Sequence, residues 1–248
     1  MNDSHEYRLA GIDLAWKGDL NPSSIAIGRL IGHELVLEEI HSGVIGLDSC
    51  MQVLDTVKEL RGIAIDASLI INNSEGYRSC ELELNQQYRS RWASCYPTNL
   101  KLYPDAFSVQ LFHRLQGKGF NYLSGDQWQI ECYPHASMIE VFGLAKRLSY
   151  KKGDVAAKRE GQKLLASLIV RLEQAQELQL IIPEDKQASV NYDHINSLRG
   201  KALKNNEDNL DAIICLYTAG LYAIGSRGLT FGDKKDGAIW VPQGKRVR

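Results

Sequence analysis

Three short apolar runs of this chain each stop at a carboxylate. Ile12-Asp13 closes the first, Ile63-Ala64-Ile65-Asp66 the second and Trp128-Gln129-Ile130-Glu131 the third. Apolar runs this short are strands covered on both faces, so the acids gather where neighbouring strands end. Further along, Asp208 and Asp211 open the last strongly apolar helix, three residues apart and on one face of it. Carboxylates on neighbouring strands, facing acids on a late helix, hold a hard cation such as Mg2+ or Mn2+ without any cysteine. Such an ion makes water a usable nucleophile near neutral pH and screens a phosphodiester. The pattern predicts a metal-dependent hydrolase of nucleic-acid phosphodiester bonds, with Asp13 and Asp66 as primary ligands and Asp211 as a third. Asp208 and Glu131 are then supporting ligands or water orienters.

Each acid also has a plainer reading. Asp13 can begin a turn and Asp66 can cap one. Asp208 and Asp211, read in a first helical turn, are favoured there by the helix dipole alone. Glu131 resists such a reading, because Ile130 and Cys132 flank it in a strand expected to be central. An unpaired carboxylate would be costly to bury there. The joint arrangement, more than any single residue, carries the functional expectation.

The pattern along the chain predicts an α/β fold. Strands are expected over Arg8 to Ala15, Ser24 to Gly28 and Glu34 to Ile40, joined by tight turns at 18–22 and 31–33 into an antiparallel meander. Asp48 is the expected N-cap of a helix running to Leu60. A fourth strand follows over Gly62 to Asp66 and a fifth over Trp128 to Cys132, with Pro134 placed for the first turn of a helix. Val155 to Leu178 reads as one long amphipathic helix, 183–206 as irregular, and Asp208 to Ile224 as the closing helix. The result is one domain over 1–248 with a five-stranded sheet, an insertion at 70–125 after strand four and a helical or loop insertion at 145–206.

Net charge is −1, so no global basic field marks a nucleic-acid binder. A local one exists over Lys146-Arg147, Lys151-Lys152, Lys158-Arg159, Lys163 and Arg171. Lys151, Lys152 and Arg159 are candidate phosphate contacts, although a solvated helix face explains the same pattern. His135, close to Glu131, is a candidate proton shuttle or substrate contact, and Tyr150 and Trp92 are candidate stacking rings. The five cysteines form no CxxC pair, which fits reduced thiols and a cytoplasmic protein. No leader-like stretch or membrane-length apolar run is read. The glycine-rich patterns of nucleotide-binding loops are absent.

The runs GIDLAW, GIAIDASL, IECYPHASM and EDNLDAIICLYTA, in this order, resemble the family known as domain of unknown function 429. GYRSCELEL, SYKKG with Arg159 and Gly161 after it, and DGAIWVP are similar to further blocks of that family. The resemblance spans nearly the whole chain and implies an RNase H-like fold and nuclease activity. Its acids map onto Asp13, Asp66, Glu131, Asp208 and Asp211, while Ser68 departs from the proline often found after the Asp-Ala pair. Two other functions stay open. One is a non-catalytic nucleic-acid or nucleotide-binding protein of this fold, the other a nucleotide-dependent phosphotransferase.

Overall fold

A computed structural model of the protein describes residues 6–18 and 20–246. Residues 1–5 and Asp19, within the turn expected over 18–22, lie outside the described residues. β1 (Tyr7–Asp13), β2 (Ser23–Ile31) and β3 (Glu34–Val44) form the expected antiparallel meander. α1 (Leu47–Thr56) crosses over to β4 (Leu60–Asp66), which lies parallel to β1. Asp48 falls inside the first turn of α1, and Gly46 holds the cap position.

The segment 70–125 carries α2 (Ser79–Tyr88) and α3 (Phe107–Gly117), followed by the two-residue β5 (Asn121–Tyr122). β6 (Trp128–Cys132) pairs parallel with β4 and leads into α4 (Pro134–Phe142), with Pro134 at its start. The helix read over 155–178 is shorter than expected. α5 (Val155–Val170) gives way to a 3-10 turn, and Gln179–Ile181 is a strand, β7, paired with β3. α6 (Tyr192–Ser197) occupies part of the stretch expected to be irregular. α7 (Gly200–Ala223) follows, and a hairpin of β8 (Gly228–Asp233) and β9 (Gly237–Pro242) ends the chain.

Among the described residues the sheet has nine strands where five were expected, in the order β7-β3-β2-β1-β4-β6-β9-β8, with β5 paired to β6. The four additional strands extend it at both edges and leave the central β3-β2-β1-β4-β6 order intact. Helices cover both faces. Leu9, Ala64 and Ile130 pack with α7, α5 and α4 on one side. Ile12, Ile63 and Ile65 pack with α1 and α3 on the other.

α7 lies directly on β1 because Gly11 has no side chain. A Cβ there would stand 1.9 Å from Leu216 N and 2.3 Å from the Ala212 carbonyl oxygen. This contact fixes the height of α7 over the sheet, and with it the placement of Asp208 and Asp211.

Candidate functional site

Asp13 and Asp66 are the last residues of β1 and β4 and stand opposite each other in the parallel register. Side chains alternate along a strand, so Asp13 shares a face with Gly11, and Asp66 with Ala64. That face carries α7. Asp211 and Asp208 come from the middle of α7 and are both buried. The expectation that these acids open the helix is corrected, because α7 begins at Gly200. Stabilisation by a helix N-terminus fades within the first turn and does not account for them.

Burial first, and then the charge of Asp211, hold the Asp13 carboxyl well above the ordinary aspartate range. Burial raises Asp66 to about 7 against the opposing pull of Lys151, with Asp211 and Glu131 adding to the rise. Both side chains keep some surface open to solvent while closely surrounded. Lys151 is the cation of this cluster. Its Nζ forms an ion pair with the buried Asp211 Oδ2 at 2.5 Å. Burial alone would depress the Lys151 ammonium, but Asp211, Tyr150, Asp13 and Asp66 hold its pKa well above normal. The Tyr150 hydroxyl donates to Asp211 Oδ1 at 2.5 Å, and its ring is fully buried, which removes it from the candidate stacking residues. Gly161 on α5 makes room for this segment, since a Cβ there would meet the Ser149 carbonyl oxygen at 2.2 Å.

Asp208 accepts from Lys204 Nζ at 2.5 Å, and the same ammonium reaches Glu207 at 2.9 Å. Glu207 and Lys204 were not among the expected site residues, although their three- and four-residue spacings are legible in the sequence.

Glu131 stands apart from the other acids. It aligns with Ile65, so its side chain leaves the sheet on the face away from α7. There Arg78 grips it at both oxygens, 2.9 and 2.5 Å, and the Leu69 amide donates at 3.1 Å. Arg78 also binds Glu81 and the Ile70 carbonyl. Burial raises the Glu131 pKa and Arg78 opposes the rise. The partner that Glu131 required on energetic grounds is therefore Arg78, from the insertion.

A cavity of about 280 Å³ opens beside the acids, at the carboxyl ends of β4 and β6. Asp66, Glu131, His135, Arg147, Lys151 and Lys152 all border it. His135 lies in the first turn of α4, edge-on to Tyr133 and Tyr150, and its buried Nδ1 has no partner. Burial and then the nearby Lys151 lower its pKa to about 3, so the ring is neutral. Arg159 is not part of this wall; its guanidinium donates to the Leu198 carbonyl at 2.9 and 2.6 Å.

Among the described residues no three His, Cys, Asp or Glu side chains are grouped closely enough to hold a metal ion as they stand. The chemistry of the cluster nonetheless fits a hard divalent cation. Asp13, Asp66 and Asp211 offer only carboxylate oxygens, the donors such an ion takes, and Asp211 Oδ2 is paired with Lys151.

Fold and site together define a mixed α/β protein with an acidic cluster where its central strands end. The family model described as "Protein of unknown function (DUF429)" matches residues 19–236, and the chain belongs to that family. The matched span begins after Asp13. No curated protein and no solved structure matches the chain.

Proposed function

We propose that this protein is a metal-dependent phosphodiester hydrolase of RNase H-like fold that acts on nucleic acid. The observation that carries the reading is the convergence of Asp13 and Asp66 from adjacent parallel strands with Asp211 from a helix laid across them. The central order β3-β2-β1-β4-β6, an antiparallel meander followed by parallel strands, supports the fold assignment. Asp13, Asp66 and Asp211 would hold Mg2+ or Mn2+, with Asp208 supporting them from the next turn of α7. When bound, the ion supplies charge neutralisation and an activated water. The chain's own residues do the rest. Strand register and Gly11 keep the acids together, Arg147 and Lys152 attract the phosphate, and neutral His135 borders the same cavity.

Calorimetric titration of Mn2+ into the wild type, Asp13→Asn and Asp66→Asn proteins, beside a panel of labelled DNA and RNA, tests this reading. Binding and cleavage are expected in the wild type and lost together in both variants. A wild type that binds no divalent ion, with cleavage unchanged in Asp13→Asn, would sink it.

One observation favours the second reading, a nucleotide-binding protein without catalysis. The Lys151 ammonium already neutralises Asp211 and lies within electrostatic reach of Asp13 and Asp66. On the hydrolase reading Lys151 is a cation that a metal must displace. Lys151→Met is then expected to tighten Mn2+ binding about tenfold or more, the scale of one removed like charge at close range. Unchanged or weaker binding in Lys151→Met would favour the second reading.

A further inference from the structure

The cavity at the acid cluster is small and partly open to solvent. Its volume of about 280 Å³ lies just under the small-molecule range of about 300–1,000 Å³ and suits one compact ligand, not a length of duplex. Its position at the carboxyl ends of parallel strands is where open α/β sheets bind ligands.

On its wall Arg78, Arg147, Lys151 and Lys152 stand with Asp66, Glu81 and Glu131, and not every cation is paired. Arg78 occupies Glu131 and Glu81, and Lys151 occupies Asp211. Arg147 and Lys152 remain, and among the described residues neither makes an ion pair. Two free cations beside a carboxylate cluster suit a phosphate. Trp16 and Tyr96, also on the wall, are 48% and 77% exposed, so both offer apolar ring surface to a planar group. His135 also borders the cavity.

We infer that this cavity seats a single nucleotide unit, with the phosphate at Arg147 and Lys152 and the base against Tyr96 and Trp16. The inference rests on the phosphodiester reading above and narrows it. The reacting nucleotide is either free or carried unpaired in a single strand, not stacked within a duplex. A base set against Tyr96 and Trp16 has to leave its own stack, and an unpaired nucleotide does so at the lowest cost.

Binding measured in a metal chelator separates recognition from cleavage. The probes are nucleoside 5′-monophosphates, the corresponding nucleosides, a single-stranded octanucleotide and a blunt duplex of the same sequence. The wild type is expected to bind a monophosphate or the single strand in preference to the nucleoside and the duplex. Arg147→Ala/Lys152→Ala should weaken that binding about tenfold or more, and Tyr96→Ala several-fold, with thermal stability unchanged. A tight monophosphate identifies a free nucleotide as ligand. A weak monophosphate beside a tight, Tyr96-dependent single strand identifies a nucleotide within a chain. No binding of either, or binding indifferent to all three substitutions, overturns the inference. Cleavage of duplex at internal sites with no such binding would overturn it while leaving the hydrolase reading intact. Cavity-dependent nucleotide binding without any cleavage would do the reverse.

Discussion

Arg78→Met is expected to destabilise the protein by about 3–5 kcal/mol, the cost of leaving buried charges without their partner. Arg78, Glu131 and Glu81 are each almost completely buried, and the guanidinium serves both carboxylates as well as the Ile70 carbonyl. Methionine approximates the length of the side chain and supplies none of these contacts. Glu131 would keep only the Leu69 amide, and Glu81 would keep the Thr98 hydroxyl and amide and the Arg78 main-chain amide. Urea denaturation reads the loss directly as a lower midpoint at unchanged slope. Glu131→Gln in the same chain should recover part of it, because a neutral amide costs less to bury unpaired than a carboxylate. A loss under about 1 kcal/mol would mean that water reaches the pair and that its charges are screened.

The Glu131–Arg78 pair also marks how far the sequence could be read. That Glu131 needed a partner followed from its apolar neighbours; which partner did not. Arg78 is 53 residues away, at the start of a helix that shows no apolar period, because α2 turns Glu81 and Asn85 toward the interior along with Cys80 and Leu84. A buried polar face leaves no pattern to detect. The start of α7 was hidden for a related reason. Its first two turns, with Lys201, Lys204 and Asn205, bury little apolar surface, so the periodic signal begins only near Leu210 and places Asp208 and Asp211 too close to the helix end. Tertiary packing on Gly11, a long-range contact, is what carries these acids to Asp13.

The strands split in the same way. β1, β2, β3, β4 and β6 are long or continuously apolar, and each was legible to within a few residues. β7 has three residues, too few to show a period, and lies just past the stretch read as one helix to Leu178. β8 exposes most of its side chains, and only in its pairing with β9 do its backbone groups become a strand. Lys151 was expected to face a phosphate. It borders the cavity and at the same time pairs with Asp211, which α7 carries buried against the sheet.

The acid cluster is expected to cost the metal-free protein stability, in a way that pH reveals. Asp66 titrates at about 7 in the folded chain and at about 3.9 when unfolded. Between those values the folded state holds a proton that the unfolded state has lost, so stability falls as pH rises. The contribution is fully present below about pH 4 and gone above the folded pKa. Asp66→Asn has no proton to lose. With metal chelated, its stability should match the wild type, up to a constant offset, at pH 4 and exceed it increasingly toward pH 8. The gap is at most about 4 kcal/mol, from three pKa units at about 1.4 kcal/mol each, and the partial solvent access of Asp66 makes it smaller. Denaturant midpoints across pH 4–8.5 for the two proteins measure it, and parallel curves would show that Asp66 is not strained by its neighbours. Saturating Mn2+ should then reverse the order at pH 8. A ligand present at 1,000 times its dissociation constant stabilises the folded state by about 4.1 kcal/mol, and on the hydrolase reading only the wild type retains the carboxylate that would hold it. A cluster that weakens the empty protein and strengthens the loaded one is what a binding site requires of its residues, whereas acids serving only the fold would show no such reversal.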